Sequence, residues 1–486
     1  MLSKLKQVLS RRASKSSADK ASPQSPPTSD RPRETGAALD QIDLNNVRIY
    51  ERDEHCISRR DISPQALKVL YGLGDAGYQA YLVGGSVRDL LLGNKPKDFD
   101  VATDATPEEL KRLFRNSRII GRRFKIVHIH YGREIIEVTT FRAHHTALNE
   151  FADRDDSKGF RHLDSAHSSS GMILRDNVYG SINEDALRRD FTVNALYYTV
   201  DQFRLLDFCT GMEDIERRQI RVIGDPATRY KEDPVRMLRA VRLAAKLDFS
   251  IEPASAAPIN DLAHLLESVS SARLFDESLK MLGAGHGEKT LELLRRYEIG
   301  KYLIPDTLRC LADEKGTDAR FVILALRNSD TRVREDKSVT PAFLYAALLW
   351  PVIMRDIRKT LGNEPYTLQD LILSASKAVS AQLDYTAIPR RFTTAAREIW
   401  ELQLRMARRN KRTIETVLQH PRFRAAYDFL LLREEAGEDL GGLGEWWTAY
   451  QTGDEHLQDA LVGKLSAQKR KRRRTRKRKP PSNSQP

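Results

Sequence analysis

One segment limits this chain more than any other: YLVGGSVRDLLLGNKPKDFDVATDATPEEL, from Tyr81 to Leu110. A short β-rich run ends in Gly84-Gly85-Ser86, and helical spacing starts at Val87. A strand that turns through glycine into a helix aims the unpaired N–H groups and positive end of the helix start at one spot. Glycine lets the backbone approach an anion closely, and Arg88 on the first turn can add a charge-assisted bond to a phosphate oxygen. Gly-Gly before a helix is also an ordinary tight turn, so Gly84, Gly85, Ser86 and Arg88 alone decide nothing. Asp98 and Asp100 decide more. Residues i and i+2 of a strand share a face, which turns Phe99 into the core and leaves two carboxylates that repel unless a cation lies between them. Hard oxygen donors beside a phosphate cradle suit Mg²⁺, which keeps waters and takes phosphate oxygens into its shell; Mn²⁺ is the alternative ion. Asp98 and Asp100 are therefore candidate metal ligands. A third acid on a neighbouring strand would complete the set, with Glu137 in EIIEVTTFR as the first candidate and Glu134 as the solvated alternative.

The surrounding sequence predicts an α+β protein: a small mixed-sheet head, then an all-helical neck and body, with disordered basic termini. Pro64 to Gly77 has helical spacing through Leu67, Leu70, Tyr71 and Leu73, and Gly77 ends it. Strands are predicted at Tyr78–Val83, Phe99–Thr103, Ile126–His130 and Ile135–Phe141, with a helix from Pro107 to Phe114. Leu148 to Gly171 reads as a long polar loop. Beyond Asn183 the pattern is helical to about Tyr450. These features divide the chain into a disordered arm (1–44), a head (45–199), a helical neck (200–300), a helical body (301–455) and a Lys/Arg-rich tail (456–486).

Net charge is +13 over 486 residues, and its distribution matters more than its size. Lys469 to Lys479, KRKRRRTRKRK, carries +10 and residues 1 to 40 carry +4, leaving −1 for residues 41 to 468. The basicity belongs to the tails. A tail of this kind binds phosphate backbones without reading sequence, its other reading being a targeting or membrane-surface role. The opening MLSKLKQVLSRR has the amphipathic, acid-free character of a transit peptide, against the plainer reading of a tether. The longest apolar stretch, Ala342 to Met354, has 13 residues and is interrupted by Pro351, whereas a membrane span needs about 20. Cys56, Cys209 and Cys310 have no CxxC spacing and read as packing residues of a protein in a reducing, cytoplasmic compartment. His128, His130, His144 and His145 lack metal-ligand spacing and read as structural.

LVGGSVRDLLLG followed by KDFDVATDATPEEL resembles the head of the class II nucleotidyltransferases of the polymerase-beta superfamily, which comprise bacterial poly(A) polymerases and tRNA CCA-adding enzymes. EDALRRDFTVNALYY (Glu184 to Tyr198) and GDPATRYKEDPVRMLRAVRLAAKLDF (Gly224 to Phe249) resemble the next two motifs of that family, in the right order, over about residues 55 to 250. HCISRRDIS, GRRFKIVHIHYGREIIEVTTFR, WELQLRMARR, LQHPRFRAAYDFL and the basic end resemble the bacterial poly(A) polymerase branch. The resemblance implies two-cation phosphoryl-type transfer with Asp98, Asp100 and Glu137 as ligands, and adds Asp190 to the catalytic set. Asp190 could position Arg189, touch the ribose or a metal-bound water, or simply pair with Arg188 or Arg189. Arg189, Asn194, Glu232, Asp233, Arg236 and Arg239 are implied to contact the nucleotide.

In EDPVRMLRAVR, Asp233 is predicted to cap a helix whose first residue is Pro234, with Arg236 one turn away and Arg239 at i+3 from it. Met237, Leu238, Val241 and Ala245 form the buried face. An Asp acceptor beside an Arg donor matches N6 and N1 of adenine, and equally N4 and N3 of cytosine, so the pair rejects G and U without separating ATP from CTP. Further on, Ala395, Ile399, Leu402 and Met406 form an apolar face, leaving Arg397, Arg405, Arg408, Arg409, Lys411 and Arg412 as candidate RNA contacts or as solvated surface. The implied activity is template-independent addition of AMP from the substrate ATP to RNA 3′ ends, acting in RNA processing and decay. The implied partners are RNA, held by head, neck and tail, and RNA-decay proteins, with a monomer favoured. A CCA-adding activity and a non-catalytic RNA-binding protein on the same scaffold are the alternatives.

Overall fold

The computed structural model describes residues 47–121, 125–143, 178–362, 364–463 and 465, together with the strands Ser165–His167 and Ile173–Asp176. The N-terminal arm, His144, His145, most of the polar stretch 148–171 and the basic run 469–479 lie outside the described residues. The strands in chain order are β1 (Arg48–Tyr50), β2 (Ala80–Val83), β3 (Asp100–Thr103), β4 (Ser117–Ile120), β5 (Ile126–Tyr131), β6 (Glu134–Thr140), β7 (Ser165–His167), β8 (Ile173–Asp176), β9 (Leu196–Tyr198) and β10 (Leu205–Asp207). Eight of them form one sheet in the order β1-β10-β9-β2-β3-β6-β5-β4, while β7 and β8 pair with each other. Every neighbouring pair in the large sheet is antiparallel except β3 with β6. β2, AYLV, is buried along its whole length, as a central strand covered on both faces should be. The helix Pro64–Asp75 packs across β2, β3 and β6. Ser63 caps it and Pro64 opens it, and Ala66, Val69, Leu70 and Leu73 are its buried face.

Three expectations need correction. The region after Asn183 is not wholly helical, because β9 and β10 return to the head sheet, β10 past residue 199, and Gln219–Ile220 pairs in parallel with Ser250–Ile251. These strands are two or three residues long, and LYY and LLD are buried throughout, so no alternation marked them. Within the expected polar loop, Ser165–His167 is strand β7, paired antiparallel with β8. The three cysteines are free thiols, but Cys56 is exposed and the other two are half-buried, so they are not core packing residues.

The head has its own apolar core, running from Tyr50 to Leu205. A second, continuous core runs from Phe191 to Trp447 through the helices that follow. Phe191 and Val193 belong to the second core although they immediately precede β9. The apolar residues of RDFTVN thus anchor the segment among the helices, while its polar residues are left for other contacts. Helix Arg390–Met406 buries Ala395, Ile399, Leu402 and Met406 as its spacing predicts. Trp400 and Trp447 are fully buried, each with its indole N–H donating to a backbone carbonyl at 3.1 Å. Helix Pro341–Leu361 continues through Pro351. Among the described residues no helix is long and apolar enough to cross a membrane.

Candidate active site

β2 leads into helix Gly85–Leu91 through Gly84, whose φ of 72° and ψ of −137° lie where a side chain is strongly disfavoured. The helix begins two residues earlier than expected, so Ser86 belongs to its first turn. The Ser86 hydroxyl donates to the Val83 carbonyl at 2.9 Å and is a turn-forming group in this structure. Arg88 is buried. Its Nε and Nη2 donate to Asp89 Oδ1 at 2.9 and 2.6 Å, and Nη1 donates to Asn194 Oδ1 at 2.6 Å.

Asp98 is exposed, Phe99 buried and Asp100 intermediate, the alternation expected of two acids sharing a face. The strand itself begins only at Asp100. In the parallel β3–β6 pairing Asp100 stands opposite Glu137, which places Glu137, and not Glu134, beside it. Burial, then the charges of Glu137 and Asp98, push the Asp100 carboxyl up to about 6 against the opposing pull of Arg189. Glu137 Oε1 lies 3.4 Å from His128 Nε2, with the Glu137 side chain 47% exposed. Among the described residues no three His, Cys, Asp or Glu side chains form a ready-made metal cage. The donor chemistry nonetheless fits a hard divalent ion that brings its own waters, since a half-buried carboxylate crowded by two like charges is what such an ion relieves. A Cβ built on Gly84 would lie 3.6 Å from Arg189 Nη1 and 3.8 Å from Asp100 Oδ2. The glycine turn, the acids and Arg189 are therefore neighbours.

Arg189 is fixed by two residues that the sequence reading did not single out, Asp185 and Tyr197. Asp185 is 2% exposed. Its Oδ2 accepts from Arg189 Nη2 at 3.0 Å and from the Tyr197 hydroxyl at 2.7 Å, while Oδ1 accepts from Arg188 Nε at 3.2 Å. Tyr197 in turn accepts from Arg189 Nε at 2.7 Å. Burial would raise the Asp185 carboxyl, but Arg189, Arg188 and the Tyr197 hydroxyl bring it down to about 2. The i+3 and i+4 spacing of Asp185 to the two arginines on a short helix was a usable signal. The ion pair offered as one reading of Asp190 is thus made by Asp185. Asp190 instead pairs with Arg239 at 2.6 Å, and its Oδ1 accepts from Phe191 N–H and Asn194 Nδ2 at 2.9 and 3.2 Å. Burial would raise its carboxyl, yet Arg239 and Asn194 hold it below the usual range.

Asp233 closes the helix Pro226–Glu232, and the helix Val235–Leu247 begins after Pro234. Asp233 is therefore not an N-cap residue of the standard kind, because two short helices abut where one start was predicted. Arg236 is buried and donates to Glu232 at 2.9 Å and to the Arg229 carbonyl at 2.7 Å, and Asp233 pairs with Arg273 at 2.7 Å. Arg229 was also missed. Its Nη2 donates to the carbonyls of Arg188 and Arg189, at 2.5 and 2.6 Å. The segment predicted to select the base is thereby bonded to the backbone that carries Arg189. Met237, Leu238, Val241 and Ala245 are buried as expected.

A glycine turn beside paired acids on a mixed sheet, continued into a helical neck bonded to the same site, defines a nucleotidyltransferase. Three family models match: "Poly A polymerase head domain" over residues 80–221, "Probable RNA and SrmB- binding site of polymerase A" over 248–311, and "Polymerase A arginine-rich C-terminus" over 364–480. Poly(A) polymerase I of Escherichia coli O6:H1 is 46% identical over 92% of this chain and 94% of its own length. A CCA-adding enzyme of Lactobacillus helveticus is 37% identical over 48% of this chain and 53% of its own. A solved tRNA-processing enzyme in its apo form I shares the fold at a TM-score of 0.54 and 20% identity, covering 85% of this chain and 98% of that one. The chain belongs to the poly(A) polymerase family.

Proposed function

We propose that the chain transfers AMP from ATP to RNA 3′ ends at Asp98, Asp100 and Glu137, releasing pyrophosphate. The observation that carries this reading is the β3–β6 register, which stands Asp100 opposite Glu137 next to the Gly84 turn. Bound Mg²⁺ or Mn²⁺, held by Asp98, Asp100 and Glu137, would activate the attacking hydroxyl and neutralise developing charge on the leaving pyrophosphate. The chain's own groups bind and orient. The turn at Gly84, Gly85 and Ser86 brings backbone N–H groups to the phosphates, with Arg88 and Arg189 supplying positive charge. Asp190 and Asn194, bonded to each other, join Arg88 to Arg239 and so set the cradle against the neck helix. Asp233 and Arg236 face the base, and Glu232 braces Arg236. In the free protein Asp233 is held by Arg273 and Arg236 by Glu232, so base pairing with adenine requires these contacts to be exchanged or shared.

Poly(A) addition is favoured over CCA addition because the likeness to a poly(A) polymerase runs through the body, whereas the match to the CCA-adding enzyme covers about half the chain. RNA is held by head, neck and basic tail, RNA-decay proteins are the candidate partners, and the setting is cytoplasmic, in keeping with three free thiols. The test of the site is Asp98→Asn and Glu137→Gln in a primer-extension assay that also measures released pyrophosphate. Both variants should lose at least a hundredfold in rate while still binding RNA. Wild-type rates in either would displace that residue from the catalytic set.

A further inference from the structure

Asp89, next to Arg88, divides its two oxygens between head and neck. Oδ1 takes Arg88, as described, and Oδ2 accepts from Lys246 Nζ at 3.0 Å. Lys246 lies in the last turn of helix Val235–Leu247, two turns beyond Arg239 and on the same face. The contacts therefore close a ring: Lys246 to Asp89, Asp89 to Arg88, Arg88 to Asn194, Asn194 to Asp190, Asp190 to Arg239, and back along the helix to Lys246. We propose that Lys246 is a positioning residue for ATP, latching the neck helix to the phosphate cradle through Asp89 and keeping Arg88 from being neutralised there. Asp89 is one carboxylate shared by two cations, so the trio Arg88, Asp89 and Lys246 keeps a net charge of +1, with Arg88 Nη2 3.4 Å from a Cβ built on Gly85 of the cradle. Without Lys246, Asp89 serves Arg88 alone, that local charge falls to zero, and the head loses one of the ring's two attachments to the helix. Arg239 forms the other attachment, so the fold survives the change. The Lys246 side chain is 44% exposed, which makes its contribution to stability small and leaves ATP binding as the property that responds.

The inference rests on reading Arg88 as a phosphate contact, and the experiment separates the two. Steady-state kinetics with an oligo(A) primer and varied ATP, and calorimetric binding of a non-hydrolysable ATP analogue, are measured on the full chain and on Lys246→Met, Lys246→Arg, Arg88→Gln and the remote control Lys289→Met. Lys246→Met should raise KM for ATP and the analogue's Kd about fivefold, with kcat within twofold and the melting temperature nearly unchanged. Lys246→Arg, which keeps the charge and the reach, should restore both to within twofold, and Lys289→Met should match wild type. A wild-type KM in Lys246→Met beside a raised KM in Arg88→Gln would overturn the latch alone. A wild-type KM in Arg88→Gln would overturn the reading of the cradle and the latch with it. A lowered melting temperature with unchanged KM would make Lys246 merely structural and refute the proposal.

Discussion

Asp100→Asn should stabilise the metal-free protein while abolishing AMP transfer. In the folded chain, burial together with Glu137 and Asp98 lifts the Asp100 carboxyl from 3.8 to about 6. A carboxyl whose folded pKa lies above its unfolded value binds its proton more tightly in the folded state. Its contribution is thus fully present at low pH and is lost as pH rises through that window. At about 1.36 kcal/mol per pH unit, the ionised group costs the folded state about 3 kcal/mol above pH 6. Asn keeps the shape and drops the charge, recovering most of that, on the order of 4 °C in melting temperature for a protein of this size. The assay is thermal unfolding in EDTA at pH 7.5 and pH 4.5, then at pH 7.5 with added Mg²⁺. Asp100→Asn should melt higher at pH 7.5, the gap should shrink at pH 4.5, and Mg²⁺ should raise the wild type more than the variant. A variant no more stable than wild type at pH 7.5, or a gap indifferent to pH, would refute the picture of a carboxylate strained by its neighbours.

Asp185→Asn removes the buried carboxylate shared by the half-buried Arg188 and Arg189 and should cost about 3 kcal/mol, seen as a lowered urea midpoint. Tyr197→Phe removes one hydroxyl from the same network and should cost about 1–3 kcal/mol, with a fall in kcat that exceeds any change in primer affinity. Asp233→Ala should erode the preference for ATP over GTP and UTP in single-nucleotide incorporation while leaving oligo(A) binding intact; undiminished selectivity would remove Asp233 from base recognition. Deleting residues 469–486 should weaken RNA binding and flatten its salt dependence, as removal of ten positive charges requires, without changing the Kd for ATP. Equal binding at low salt would show that the tail is not an RNA contact.

What the sequence made legible was whatever depends on local spacing. Asp98 and Asp100 sharing a face around a buried Phe99, the helix starts at Pro64 and Pro107, and the buried stripe of Val235–Leu247 all follow from a few consecutive residues. What it hid depends on pairing across distance. β9 and β10 are too short to show a period, and only the sheet gives them their place. The partners of Arg88, Asp190 and Asp233 were not readable, because Asn194, Arg239 and Arg273 reach them from 40 to 106 positions away. Arg236 was expected beside Asp233, yet it lies against Glu232, since the helix breaks between the two acids and turns them to different neighbours. Asp185 alone could have been found, from its spacing to Arg188 and Arg189.

The proposed activity of this site is the repeated, template-free addition of AMP to RNA 3′ ends. The most direct measurement offers the purified full chain, with Mg²⁺, an end-labelled oligo(A) primer or a tRNA lacking its 3′ end, and either ATP or CTP alone or both. Poly(A) addition at this site requires a long ladder with ATP, little extension with CTP, and no ladder from Asp100→Asn with any nucleotide. Efficient CTP incorporation, followed by a halt after three added nucleotides on the tRNA, would contradict it.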